Sequence, residues 1–223
     1  MDWYNIWTYT WQTLASTLIS TLLAYVIGLP TGIILHITSK KGIIPNKIIN
    51  AIIGTIVNIL RSIPCLILIV ILTPMTRSIF GVGTGEWYVI LIPLIVSAFG
   101  FVSRLVEQSL NEVPTGEIEA IKSLGATNFQ IITKVLIPEA KSSLISGFAV
   151  AAVTILGYTS FSYNIGAGGL ISGVYSLYGR STSTFYSDPV FWILLILIIG
   201  IVQLIQELGL FISKKIDKRR TLK

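Results

Sequence analysis

The chain has 223 residues, of which 53% are hydrophobic and 12% charged, with a formal net charge of +6. So little polar surface cannot clothe a soluble globule of this size, and the chain reads as an all-α, polytopic membrane protein. The positive charges stand at the ends of apolar blocks rather than in a patch interleaved with aromatics, which excludes nucleic acid as a partner and makes the lysines topology signals.

Residues 1–10 lack the basic leader of a signal peptide and no small-residue cleavage site follows, so no processing is expected. Trp3, Tyr4, Trp7, Tyr9 and Trp11 suit the headgroup level, and the spacing predicts an interfacial helix over residues 2–10 on the outer face. A hydrocarbon core of about 30 Å takes roughly 20 helical residues. Windows of that kind lie at 13–37, 49–73, 87–106, 143–161 and 190–212, which gives five transmembrane helices within a membrane domain over 11–212. Lys40, Lys41 and Lys47 follow the first window, and Lys122, Lys134 and Lys141 lie between the third and fourth. Lys214, Lys215, Lys218, Arg219, Arg220 and Lys223 fill a basic tail over 213–223, against only Arg77 and Arg180 on the opposite side. The positive-inside rule then places the N-terminus outside and the tail in the cytoplasm.

Within the second window, Arg61-Ser62-Ile63-Pro64 needs an explanation, because an arginine at the centre of a membrane helix costs about 2.5 to 3.5 kcal/mol on insertion scales. Pro64 removes a backbone hydrogen bond and is expected to kink or break the helix. Two readings stand: Arg61, Ser62 and Pro64 face a translocation path, or Arg61 snorkels to the interface. Leu29-Pro30 and Ile92-Pro93 are candidate kinks, and Trp87 and Tyr88 candidate interfacial anchors of the third window. Arg104 and Glu107 fall on one helix face and are expected to form a helix-end ion pair.

Residues 114–141 are the one markedly polar stretch between two apolar blocks. Thr115 is expected to cap a first helix with Glu117 and Glu119 in its first turn, and Gly125 to stop that helix in a left-handed conformation. Thr127 and Gln130 are spaced for a capping box that starts a second helix. Two short helices bent at a glycine make a knob on the cytoplasmic side. Beyond the fourth window, Gly157-Tyr158 and Ile165-Gly166-Ala167-Gly168-Gly169-Leu170 look superficially like a phosphate cradle. No strand pattern precedes them, and flexible backbone that allows close helix approach, or an outer gate that moves during transport, is the better reading.

Several chemistries are excluded. No G-x-x-x-x-G-K-[ST] string occurs, so the chain is not an ATPase. The single Cys65 and the single His36 build neither a disulfide nor a metal site and read as packing residues, and no nucleophile and base pair can be assembled inside the spans. No catalysis and no cofactor are expected.

The run Glu119-Ala120-Ile121, then Gly125, then Val135-x-Ile137-Pro138 resembles the EAA loop of ABC importer permeases, with Ile121, Val135 and Ile137 standing where that pattern has Ala, Ile and Leu. The strings Arg61-Ser62-Ile63-Pro64, Arg104-Leu105-Val106-Glu107, Val113-Pro114-Thr115-Gly116, Leu124-Gly125-Ala126-Thr127 and Gly157-Tyr158 extend the likeness to the permease subunits of methionine-uptake ABC importers. The compact five-span size is similar to that group. The resemblance implies a homodimer in the bacterial inner membrane, a separate cytoplasmic ATPase docked through the loop, and an extracytoplasmic lipoprotein delivering methionine. Glu119, Ala120, Gly125, Ile137 and Pro138 would form the coupling contact, and Arg61, Ser62, Pro64 and Tyr158 would border the path.

Phe161-Ser162-Tyr163-Asn164 and the hydroxyl-rich Ser181-Thr182-Ser183-Thr184-Phe185-Tyr186 depart from the family pattern, which leaves another amino acid or a methionine-containing dipeptide as alternative substrates. An ATPase-independent secondary transporter would need intramembrane carboxylates or inverted repeats, for which only Glu207 offers itself. A structural subunit of an unrelated complex would have no reason to hold Glu119, Gly125 and Pro138 at these intervals.

Overall fold

Ser20, Ala24, Gly28 and Gly32 recur every four residues, which places small side chains along one face of a helix, and that face packs inward. A computed structural model describes residues 3–180 and 184–217, and among them there is no β-strand. The first helix, α1 (Trp3–Thr38), is unbroken by Pro30. Residues 3–10 are its first turns, so the helix expected over residues 2–10 runs on without a break into the first span. Its buried face is built of hydroxyls and small residues: Thr13, Ser16, Thr17, Ser20, Thr21 and Ala24. Leu18, Leu22, Val26 and Ile27 point outward. This inverts the soluble pattern, as expected where the solvent is hydrocarbon and helices associate through close packing of small residues.

The window over 49–73 is not one helix. It is broken at Ile63-Pro64 into α2 (Lys47–Ser62) and α3 (Cys65–Phe80), and the chain turns sharply between them. Each has 16 residues, about 24 Å, and falls short of a full span by itself. The break has the cause anticipated: Pro64 cannot donate to a helical carbonyl and takes an extended conformation, from which its own carbonyl accepts from Ile67 N and Leu68 N to start α3. Among the described residues four other stretches are long and apolar enough to cross: α1, the run through α4 (Leu91–Asn111), the run through α7 (Ile137–Tyr158), and α9 (Pro189–Ile216). With the broken pair they make up to five spans. Pro93 lies in the first turn of α4, where it costs no internal hydrogen bond, and a short 3-10 turn, Trp87–Ile90, leads into it. The basic tail begins inside α9, since residues 213–216 are still helical.

The chain divides into two compact units, and each long helix contributes residues to both. The first comprises residues 1–23, 63–98 and 152–206. Ile6 of α1, Leu170 and Leu177 of α8 (Leu170–Arg180) and Leu194 of α9 form a buried cluster there. Gln12 Oε1 accepts from Gly169 N and Thr13 Oγ1 from Leu170 N, both at 2.9 Å. The glycine run is thereby pinned to α1, and the amides of Gly166, Ala167, Gly169 and Leu170 all donate to protein acceptors, as in a structural turn.

The second unit comprises residues 24–62, 99–151 and 207–223. A Cβ on Gly28 would stand 2.7 Å from Val102 Cγ1, and one on Gly32 2.6 Å from Val106 Cβ and 2.7 Å from the Ser103 carbonyl, so α1 and α4 touch backbone to side chain. Asn50 on α2 donates to the Leu35 carbonyl at 2.7 Å and to Thr38 Oγ1 at 3.1 Å, holding α2 against the end of α1. Ser143 donates to Ser109 at 3.1 Å, and the Ser142 and Ser213 hydroxyls lie 2.9 Å apart, so serine pairs tie α7 to α4 and to α9.

Candidate coupling surface

The polar stretch begins at Pro114, whose extended backbone (φ −60°, ψ 131°) places it at the N-cap of α5 (Thr115–Ser123). Thr115 is inside the helix and makes no cap, contrary to expectation, because Pro114 already fixes the turn into the helix one residue earlier. Glu117 is in the first turn, where the helix dipole favours a carboxylate, while Glu119 falls one position beyond it. Glu119 has no ion-pair partner among the described residues.

Gly125 ends α5 as anticipated, with φ of +81°. Its N–H donates to the Lys122 carbonyl at 3.0 Å, and Ala126 N donates to the Ile121 carbonyl at 3.4 Å. That pair of bonds is a Schellman motif, which satisfies two terminal carbonyls and reverses the chain. The capping box is also present: Thr127 Oγ1 accepts from Gln130 N at 3.3 Å, and Gln130 Oε1 accepts from Thr127 N at 2.9 Å.

The second helix of the knob is not short. The turn α6 (Asn128–Ile131) runs through a π-helical turn, Ile132–Leu136, straight into α7. Pro138 supplies the physical reason. In an α-helix its ring would press on the Lys134 carbonyl and leave that group without a donor. The wide turn, closed by Ile137 N donating to the Ile132 carbonyl, takes up the mismatch. The knob is thus one short helix joined by a stiff reversal to the end of a membrane helix.

The expected contact residues do not share one pocket. Ala120, Gly125 and Pro138 are exposed, and Ile137 is half-buried at the start of α7. Gly125 borders a concavity of about 350 Å³ together with Ile121, Leu124, Gln130 and Val135. Glu119, also exposed, lines a different cleft, facing the α1–α2 turn. Two residues that the sequence reading missed dominate the outer face: Leu124 is 83% exposed and Phe129 74%. Large apolar side chains flanking a glycine turn inside a polar stretch were the available signal.

Of the expected path residues, Arg61, Ser62 and Pro64 are exposed and Tyr158 is half-buried. Arg61 and Ser62 belong to the second unit, Pro64 and Tyr158 to the first. The stem of Arg61 packs on Gly100, where a Cβ would meet Arg61 Cγ at 2.8 Å. Arg104 does more than close the expected pair with Glu107 (2.6 Å): it also donates to Asn58 Oδ1 at 2.8 Å and so bridges α4 to α2. Nearby, His36 Nδ1 and Asn111 Oδ1 are 2.9 Å apart, so the lone histidine is a packing residue with a hydrogen-bond partner. The hydroxyl-rich stretch over 181–186 and the tail from Lys218 lie wholly or partly outside the described residues.

Residues 28–217 match the model of the binding-protein-dependent transport system inner membrane components. The chain belongs to this family. Among curated members of the family, the chain is 39% identical over 212 residues to the probable D-methionine transport system permease protein MetI of Vibrio cholerae, covering 95% of this chain and 92% of that one. It is 42% identical over 219 residues to the methionine import system permease protein MetP of Bacillus subtilis, covering 98% and 96%. A solved structure of inward facing conformations of the MetNI methionine ABC transporter superposes with a TM-score of 0.89 at 38% identity, over 97% of this chain and 99% of that one. An amino acid ABC transporter solved with histidines shares the fold alone, with a TM-score of 0.63 at 20% identity.

Proposed function

We propose that this chain is the permease subunit of an ATP-driven importer, forming the membrane path for methionine and coupling it to ATP hydrolysis on another polypeptide. The observation that carries the reading is the joint between α5 and α7, a rigid exposed knob on the end of a membrane helix, in a chain similar along its length to methionine permeases. With no phosphate-binding loop of its own, the chain is non-catalytic and its energy comes from a separate ATPase. The other partners are a substrate-binding protein and a second copy of the permease in the inner membrane.

Glu119, Ala120, Gly125, Ile137 and Pro138 belong to the coupling element, with Leu124 and Phe129 as its apolar contacts. Closure of the ATPase on ATP displaces α5, and the Schellman turn and π turn pass that displacement to α7 through the backbone hydrogen bonds that close them. ATP binding then biases a two-state membrane element. Arg61, Ser62, Pro64 and Tyr158 border the path, where the α2–α3 break leaves backbone that only protein or water can satisfy. The N-terminus is outside and the C-terminus cytoplasmic: every lysine among the described residues falls in the second unit, together with α5, which supports this orientation.

The test is energised uptake of labelled methionine in cells that lack their own methionine importers, supplied with this chain, its ATPase and its binding protein. Uptake that disappears in Gly125→Asp, with the permease still inserted, is the expected result. A complex that assembles and hydrolyses ATP without importing methionine would discard the substrate and keep the permease. Normal uptake and ATPase co-purification in Gly125→Asp would discard the coupling assignment.

A further inference from the structure

The second unit contains a cleft of about 380 Å³ between the α1–α2 turn and α5, and its lining is unusual for a surface that meets lipid. Lys41 enters from the turn and Lys122 from α5, with the hydroxyls of Ser39 and Thr115 and the side chains of His36 and Asn111 around them. Glu119 is the one carboxylate in the lining. Both lysines are exposed, and neither has a carboxylate partner among the described residues. Two ammonium groups without carboxylate partners and two hydroxyl-bearing residues lining one cleft suit an oxyanion, most simply a phosphate.

What lies beside the cleft selects the source of that phosphate. Helix α2 leaves the turn with Asn46 Oδ1 capping it, accepting from Ile48 N at 3.1 Å and Ile49 N at 3.0 Å. It buries only Gly54 and Val57. Ile48, Ile52, Ile56 and Ile59 stand outward at helical spacing, 72%, 57%, 50% and 55% exposed. From Ile48 to Ile59 this stripe runs about 16 Å, roughly half the thickness of a hydrocarbon core. The chain passes from Ile43 in the cleft to Ile48 at the start of the stripe within five residues, so a cationic cleft is followed by an apolar stripe one leaflet deep, the same succession of groups as in a phospholipid. A soluble anion would use the cleft alone, whereas a phospholipid uses the cleft and the stripe together.

We propose that this cleft binds the headgroup phosphate of an anionic phospholipid, whose acyl chains lie along the isoleucine stripe of α2. The site shares α5 with the coupling knob, so an occupied cleft braces the face of α5 turned toward the α1–α2 turn and links lipid composition to transport. The choice of leaflet, the cytoplasmic one, and the link to transport rest on the function proposed above, whereas the binding itself does not.

The test reads bound lipid directly. The assembled transporter, exchanged into bilayer discs of phosphatidylglycerol and phosphatidylcholine, is released into detergent and its retained lipid measured by native mass spectrometry. The wild type should retain phosphatidylglycerol over phosphatidylcholine. Lys41→Gln and Lys122→Gln should each lower that retention about fivefold, the equivalent of one lysine near an anionic surface. The pair Lys214→Gln/Lys215→Gln, the same change of charge at the end of α9, should leave it unaltered.

Unchanged retention in the Lys41→Gln/Lys122→Gln double variant would overturn the proposal. Equal loss in the α9 pair would also overturn it, since the attraction would then be diffuse. Displacement of the lipid by millimolar glycerol phosphate or inorganic phosphate would reassign the cleft to a soluble anion. Lipid retention is measured whether or not methionine is imported, so this result and that of the uptake assay stand apart.

Discussion

Arg104 on α4 and Asn58 on α2, 46 residues apart in the chain, are joined by a hydrogen bond of 2.8 Å. The other arm of the guanidinium holds Glu107 at 2.6 Å, so one side chain closes an ion pair and fastens two helices together. A planar fork of donors makes both contacts possible, and a lysine cannot reproduce them from a single point.

Arg104→Leu leaves Glu107, only 18% exposed, without its cation and Asn58 without its donor. The expected cost is about 2 to 4 kcal/mol, above that of an exposed ion pair because one charge stays partly buried. Arg104→Leu with Glu107→Leu should recover part of it, since two apolar residues leave no orphaned charge. Melting of the purified complex in detergent checks both, and a double variant worse than the single would refute the account.

The contact of α1 with α4 makes two glycines respond differently. Gly28→Ala pushes a methyl against the Val102 side chain, whereas Gly32→Ala also meets the Ser103 carbonyl. Each should destabilise by about 1 to 3 kcal/mol through overpacking. Val102→Ala should relieve the Gly28 variant, while Val106→Ala should leave most of the Gly32 penalty because a backbone atom cannot be trimmed. Melting temperatures of the four variants decide this, and equal rescue in both pairs would contradict it.

At Gly125 the strain is in the backbone alone, since nothing lies within 4 Å of an added Cβ. Gly125→Ala should cost about 1 kcal/mol and loosen the α5–α7 joint, and Gly125→Asn less, because asparagine tolerates the left-handed region. Uptake should follow the order glycine, asparagine, alanine at equal amounts of inserted permease. The reverse order of asparagine and alanine would point to side-chain space instead.

Pro138→Ala restores an N–H that can bond the Lys134 carbonyl, so the π turn at Ile132–Leu136 should tighten to α-helix. Losing the extra residue rotates α5 by about 100° relative to α7. The fold should be as stable or more so, while ATP hydrolysis is retained and uptake per ATP falls severalfold. Parallel assays of hydrolysis and uptake measure this, and unchanged coupling would mean the π turn is dispensable.

Phe129→Ala and Leu124→Ala remove exposed apolar groups, so permease stability should move by no more than about 0.5 kcal/mol. Their effect should appear as loss of the co-purifying ATPase, each severalfold, as for apolar anchors of an interface. Undiminished co-purification in the double variant would remove them from the coupling surface.

The sequence alone determined the membrane class, the long apolar helices, the left-handed stop at Gly125, the capping box of Thr127 and Gln130, and the break at Pro64. All of these follow from composition or from interactions within a few residues, where steric rules and missing donors act regardless of the rest of the molecule. Only the tertiary structure decided that Arg104 reaches Asn58 and that Glu119 and Gly125 line different clefts. The polar stretch around Gly125 offered Leu124 and Phe129 as candidates, but a one-dimensional pattern does not assign them to the outer face, because in a membrane protein apolar side chains serve lipid, core and partner alike. Which of these a residue meets depends on the helix standing opposite, and that is a property of three dimensions.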